Sequence, residues 1–106
     1  MALRWEPGRQ GSGYSKMRLF RGRFSDVYLL SFPTRSYVPL HQDPLPGKSH
    51  FRLNITLWDA VRGGEFVGEP AYRWGPFTLF RPDLVWHSMG LVQEGHVFML
   101  SIGVAL

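Results

Sequence analysis

Two histidines and one aspartate are the side chains of this 106-residue sequence best suited to hold a metal ion. His41 and Asp43 stand two positions apart, so both side chains point to the same side of an extended chain. His87 follows a later apolar run. The sequence has no cysteine, so any metal must be held by histidine, aspartate or glutamate. Each residue also has a purely structural explanation, because an aspartate before Pro44 suits a turn and a histidine beside Trp86 suits a core.

Two histidines and one carboxylate are the ligand set of the facial triad found in non-haem Fe(II) oxygenases. Three protein ligands occupy one face of an octahedron and leave the opposite face for a co-substrate and O2. If His41, Asp43 and His87 converge in the fold, they predict a redox-active iron site.

Short β-strands must position these residues, because no segment shows sustained apolar spacing at helical period. Twelve glycines and eight prolines are spread along the chain and separate the apolar runs. We therefore predict an all-β domain, a sandwich or jelly roll of about eight short strands with little helix. The predicted strands are 16–20, 26–32, 36–41, 50–58, 64–67, 77–80, 84–87 and 96–104.

The strand over 50–58 has the cleanest alternation of apolar and polar residues. We predict that Phe51, Leu53, Ile55 and Leu57 form its core face. The opposite face, which includes Arg52, is open to two interpretations, since it can meet either solvent or a polar cavity. His50 has no motif partner and is expected at the surface or in a loop.

The positive charge of the sequence is concentrated near its start. Residues 1–35 carry seven lysines or arginines against two acidic residues, whereas residues 36–106 are close to neutral. We predict a basic, flexible arm over 1–15 and a single domain over 16–106. The basic third can be a solvated surface or can bind nucleic acid. No apolar run is long enough to cross a bilayer or to form a signal peptide, so we expect a cytoplasmic protein without membrane contact.

Several separated pieces of the sequence together resemble one known superfamily. The order and spacing of these pieces over residues 26–104 are similar to the core of the 2-oxoglutarate- and Fe(II)-dependent oxygenases, especially small prolyl-hydroxylase-like and phage-type members. That superfamily has a double-stranded β-helix fold, which agrees with the predicted jelly roll. The pieces are His41-x-Asp43, 52–57 (RLNITL), 63–66 (GGEF), 80–83 (FRPD) with His87, Gly95, and 100–103 (LSIG).

The resemblance implies that His41, Asp43 and His87 bind Fe(II), with 2-oxoglutarate as the co-substrate. It also implies hydroxylation of a substrate C–H bond with release of succinate and CO2. Halogenating members have a small residue in place of the aspartate, so Asp43 favours hydroxylation, or demethylation through a hydroxymethyl intermediate, over halogenation. The substrate, a small molecule or a protein side chain, carries no signature in the sequence.

The superfamily usually anchors 2-oxoglutarate with an arginine or lysine nine or ten residues after the second histidine, and here that position is His96. Three alternatives stay open: His96 is the anchor, Arg52 is the anchor, or the co-substrate site is lost. Asn54 and Thr56 share the face of Arg52 and can donate to a carboxylate, as can the hydroxyl of Tyr28.

Two other functions compete with the oxygenase. The first is a catalytically degenerate β-helix module that binds a metal or a partner without oxygenase activity. The second is a cupin-like metalloenzyme, although the usual His-x-His followed by a glutamate is absent from the sequence. The sequence leaves the oligomeric state open.

Overall fold

A computed structural model describes residues 3–8 and 10–106 of the chain. These residues form twelve strands and no helix, so the prediction of an all-β protein is confirmed although the strands are more numerous than the eight expected. None of the described residues belongs to a helix that could span a membrane. The strands are β1 (Glu6–Pro7), β2 (Ser15–Arg21), β3 (Ser25–Phe32), β4 (Val38–His41), β5 (His50–Trp58), β6 (Arg62–Gly63), β7 (Phe66–Gly68), β8 (Tyr72–Trp74), β9 (Phe77–Phe80), β10 (His87–Met89), β11 (Val92–Glu94) and β12 (Val97–Ala105).

Three antiparallel sheets organise these strands. Seven of them form the main sheet in the order β1-β2-β3-β12-β5-β9-β8, while β4-β10-β7 and β11-β6 form smaller sheets. The last strand, β12, lies between β3 and β5 and is paired with both along almost its whole length. Because β3 and β5 come from distant parts of the sequence, β12 holds the walls of the domain together.

The inner face of the main sheet changes from apolar to polar along β12. Val97 and Met99 are buried at one end, and Ser101 and Gly103 are buried farther along the same face. The apolar end belongs to the core, while the polar end faces a cavity. The core consists of Phe32, Met89, Val92, Val97 and Met99.

Strand β5 has the bounds predicted from the sequence, but the predicted core face is wrong. Arg52 and Asn54 point into the cavity, whereas the alternating apolar residues lie on the outer face and Leu57 is 56% exposed. His50 is only 8% exposed, so its assignment to the surface is also wrong. The domain encloses a polar cavity, and alternation alone could not tell an inner polar face from an outer one.

Other differences lie at strand ends. Residues 82–84 form a turn and residues 85 and 86 are irregular, so the strand predicted over 84–87 begins only at His87. Of the predicted strand 64–67, residues 64 and 65 lie in no strand, and residues 66 and 67 belong to β7. In the predicted arm 1–15, β1 pairs with the start of β2, and residues 1, 2 and 9 lie outside the described part of the chain.

Candidate metal centre

The two candidate histidine ligands face each other across the three-stranded sheet. His41 ends β4, His87 begins β10, and the two residues are direct partners in the register of these strands. Directly paired residues in an antiparallel sheet point to the same side. Their rings are 4.2 Å apart between centroids, so strand pairing alone brings both imidazoles to one point.

Asp43 completes the cluster from the segment that follows β4. Its Oδ2 atom lies 3.4 Å from Nε2 of His41 and 3.5 Å from Nε2 of His87. One ligand atom from each of the three residues falls within 4.8 Å of the others. The two-residue spacing of His41 and Asp43 therefore places both side chains on the same side of the chain, as predicted from the sequence.

Hydrogen bonds from the second ring nitrogen fix both imidazoles for metal binding. Nδ1 of His41 lies 2.7 Å from the carbonyl oxygen of Pro39, and Nδ1 of His87 lies 2.9 Å from that of Val85. A carbonyl oxygen accepts only, so each Nδ1 carries the proton and each Nε2 presents its lone pair to the cluster. Metal-binding histidines are held in this way. The donor set and its orientation fit a divalent transition metal.

The turn before β10 positions two of the three ligands. The backbone N–H of Asp43 donates to the carbonyl of Pro82 at 2.7 Å, and Val85, whose carbonyl orients His87, donates its own N–H to Arg81. Movement of this turn would therefore displace both Asp43 and His87.

A bidentate ion pair closes the same turn. Arg81 donates from Nε and Nη2 to the two carboxylate oxygens of Asp83, at 3.2 and 2.6 Å. These bonds hold the pKa of the Asp83 carboxyl below its usual value, and the backbone N–H of His50 acts in the same direction. The pair stabilises the turn in the form that places the ligands.

The metal cluster opens into a cavity of about 700 Å³, and Arg52 lies on its wall. Arg52 donates from Nη1 to the hydroxyl of Ser101 and from Nη2 to Oδ1 of Asp26, both at 2.8 Å. Ser101 in turn donates to Oδ1 of Asn54 at 2.7 Å. Arg52, one of the predicted anchors, is thus in the cavity but already neutralised by an aspartate.

His50 links the metal cluster to Arg52. No motif in the sequence singles out His50, which shares only the face of Arg52 on the predicted strand. Nδ1 of His50 lies 3.5 Å from the carbonyl oxygen of Asp43, and Nε2 lies 3.4 Å from Nη2 of Arg52. Burial lowers the pKa of His50, and the neighbouring Arg52 cation lowers it further. A neutral imidazole fits these contacts, because its Nδ1–H donates while Nε2 accepts. Asp26 and Ser101, which contact Arg52, are likewise given no role by the sequence pattern.

The other predicted binding residues do not all reach this cavity. Tyr28 lines it, with the ammonium of Lys16 5.5 Å from the centre of its ring. Thr56 lines a second cavity instead. His96 bonds to Ser31 and stacks on Phe98, both on the outer face of the main sheet. His96 is therefore on the wrong side of the sheet to contact a ligand beside the metal cluster.

No protein-family model matches the sequence, and no curated protein matches it either. Solved structures do match its fold. The cupin-2 domain protein Rru_A2000 from Rhodospirillum rubrum has a TM-score of 0.65 at 14% identity, over 97% of this chain and 68% of that one. KdgF from a Halomonas species has a TM-score of 0.65 at 14% identity, over 95% and 86% of the two chains.

A third similar structure is an enzyme by its name. DMSP lyase DddQ from Ruegeria pomeroyi has a TM-score of 0.65 at 19% identity, over 96% of this chain and 56% of that chain. At such identities the likeness concerns the fold, so the predicted double-stranded β-helix is confirmed in its cupin-like form. The neighbours offer nothing specific to a 2-oxoglutarate oxygenase.

Proposed function

We propose that this protein is an Fe(II)-dependent oxygenase that uses 2-oxoglutarate to hydroxylate a substrate C–H bond. The observation that carries the proposal is the cluster of His41, Asp43 and His87, in which both Nε2 atoms are turned toward the carboxylate by hydrogen bonds at Nδ1. Two histidines and one carboxylate on one face suit non-haem iron and leave coordination positions for small ligands.

Each group in the cavity has a separate task under this proposal. When bound, Fe(II) would activate O2, whose four electrons come from the oxidation of 2-oxoglutarate to succinate and CO2 and from the oxidation of the substrate C–H bond. One oxygen atom then enters succinate and the other enters the substrate. His41, Asp43 and His87 hold the ion. Arg52, on the wall of the same cavity, offers its remaining N–H groups to a carboxylate of 2-oxoglutarate. Neutral His50 separates the ligand Asp43 from this guanidinium.

One observation favours a second candidate, a metal-dependent enzyme that does not use 2-oxoglutarate. Arg52 is paired with Asp26, and that pairing reduces the attraction of the guanidinium for another carboxylate. Among the neighbours of this fold, DMSP lyase is named for a different reaction. In such an enzyme the cavity would bind a substrate directly at the metal. In the catalytically degenerate module considered above, the cluster would bind the metal alone.

Anaerobic spectroscopy separates these candidates. Fe(II) and 2-oxoglutarate added together should produce the weak visible metal-to-ligand charge-transfer band of a chelated keto acid. His87→Ala should abolish both Fe(II) binding and the band, while His96→Ala, the same change on the outer face, should preserve them. Fe(II) binding without the band would favour the second candidate. Unchanged Fe(II) affinity in His87→Ala would reject the metal centre itself.

A further inference from the structure

The lining of the metal cavity has more cationic side chains than carboxylates. Five cationic side chains line the cavity, against the two carboxylates of Asp26 and Asp43. Asp26 is paired with Arg52, and Asp43 belongs to the metal cluster. The other four cations lie on β2, on the β2–β3 turn and in the loop before β5. They are Lys16, Arg21, Arg23 and Lys48.

Two of these cations converge on one phenyl ring. The guanidinium carbon of Arg23 lies 5.1 Å from the ring centre of Phe24, and Nζ of Lys48 lies 4.6 Å from it. The two charges are therefore at most about 10 Å apart. Within residues 3–8 and 10–106, neither side chain forms an ion pair. Two uncompensated cations beside a cavity are the electrostatic pattern of an anion site.

The end of β12 fixes the two segments that carry these cations. Ala105 donates its N–H to the carbonyl of Phe24, and Leu106 exchanges two backbone hydrogen bonds with Ser49. The turn bearing Arg23 and the loop bearing Lys48 are thus attached to one strand end. These hydrogen bonds set the distance between the two segments, and therefore between the backbones of Arg23 and Lys48. Both side chains are exposed.

We propose that Arg23 and Lys48 form an anion-binding subsite that holds a phosphate or carboxylate group of the substrate at the cavity mouth. The remainder of that substrate extends inward to the metal cluster. This second statement rests on the proposed function, whereas binding of an anion at the mouth does not. The substrate class is a small anionic molecule, and its charged group lies away from the atom that reacts.

Phosphate binding to the metal-free full chain tests the subsite without turnover. Inorganic phosphate, followed by two-dimensional NMR, should shift the amides of 22–25 and 47–49 in a saturable way. Arg23→Gln with Lys48→Gln should weaken phosphate at least tenfold, and succinate as a second probe should show whether carboxylate binds as well. The matched control is Arg35→Gln with Arg62→Gln, since neither residue lines the cavity.

Each outcome decides the proposal. Absence of saturable binding would overturn it, and so would equal weakening in the control protein. A six-nucleotide single strand that binds at least a hundredfold tighter than phosphate, with steep salt dependence, would replace the small anion by nucleic acid. Failure of the iron spectroscopy with intact phosphate binding would reject the oxygenase but keep the subsite.

A different observation, on the opposite face of the main sheet, carries a second inference. Outward positions on β3, β12, β5 and β9 contain no charged residue and only two polar side chains, those of Ser25 and Ser31 on β3. Antiparallel sheets usually present polar residues on a solvated face. The apolar set is Val27, Leu29, Phe98, Leu100, Ile102, Val104, Phe51, Leu53, Ile55, Leu57, Phe77 and Leu79.

We infer that a second copy of this chain covers this outer face. The four strands that carry this apolar set contain 30 residues, which cover about 480 Å² at usual strand spacings. That area is about 60% of the 800 Å² or so that each partner buries in a standard stable interface, which is the usual apolar share of such an interface. Two identical apolar sheet faces can stack about a two-fold axis as the layers of a sandwich do.

Light scattering on the full chain tests this dimer. The expected mass is twice the 12.2 kDa of one chain, and Ile102→Lys at the centre of the face should halve it. Val67→Lys, at an exposed valine of β7, is the control and should leave the dimer intact. Leu29→Lys gives a second route if Ile102→Lys does not fold. A wild-type monomer at high micromolar concentration would overturn the inference, as would equal dissociation by Val67→Lys.

Discussion

Arg52 and Asp26 meet across the intervening strand β12, with 2.8 Å between Nη2 and Oδ1. Both residues pair with Gly103 in the register of the main sheet. A side chain at that position would fill the space where they meet, since a Cβ atom built there lies 2.7 Å from Cζ of Arg52 and 2.9 Å from Oδ1 of Asp26. The ion pair on the cavity wall therefore requires a glycine on the central strand.

Gly103→Ala should push the guanidinium away from Asp26. Overpacking of this kind costs about 1–3 kcal/mol of unfolding free energy, measurable by chemical denaturation. Gly90→Ala is the control, because the atom nearest to its Cβ would be Oε2 of Glu65, at 3.3 Å, on an exposed side chain that can move, and the backbone atoms of Glu65 lie at ordinary contact distances of 3.7 and 3.8 Å. Equal stability of the two variants would show that the cavity wall accommodates a methyl group.

Asp83→Asn should weaken metal binding without touching a ligand. The change breaks the pair with Arg81 that closes the turn orienting Asp43 and His87. We expect a lower melting temperature and Fe(II) affinity reduced by up to about tenfold. Because the pKa of Asp83 is lowered in the fold, its contribution to stability is present above pH 3.8 and is lost as the pH falls further. Asp59→Asn, at an exposed aspartate, should change neither quantity.

His50 should make the metal-free protein sensitive to mild acid. Burial lowers its pKa from 6.5, so below pH 6.5 the unfolded chain takes up a proton that the folded chain refuses. Stability is therefore full above pH 6.5 and decreases as the pH falls below it. The melting temperature, measured with a chelator between pH 7.5 and 5.5, should fall less in His50→Gln than in the wild type. His96→Gln, on the outer face, should retain the wild-type slope, and an unchanged slope in His50→Gln would contradict the prediction.

The sequence predicts the metal cluster better than it predicts the cavity around it. His41 and Asp43 are local, and two-residue spacing on an extended chain is enough to align them. Strand β5 was also found with correct bounds, yet its faces were reversed. A half-buried outer face of leucine and isoleucine has the same alternation as a core face, and only the closure of the domain decides which side is inside.

Contacts between strands that are distant along the chain could not be predicted from the sequence. Arg52 reaches Asp26 only because β12 lies between β5 and β3, and no local pattern encodes that strand order. His96 was chosen by its distance along the chain from His87. It lies one position before the inward-pointing Val97, so strand parity places it on the outer face.

The pairing of Arg52 with Asp26 leads to two variants with opposite effects on 2-oxoglutarate. Asp26→Asn removes the competing carboxylate and should strengthen 2-oxoglutarate binding to the Fe(II) protein several-fold, because the guanidinium then has N–H groups to spare. Arg52→Gln should weaken binding by at least about tenfold, corresponding to roughly 1.4 kcal/mol or more. Binding is measured by anaerobic titration of the visible band, with His96→Gln expected to behave as the wild type. If Arg52→Gln binds normally, or if Asp26→Asn binds more weakly, Arg52 is not the anchor and the cavity holds its ligand through the metal alone.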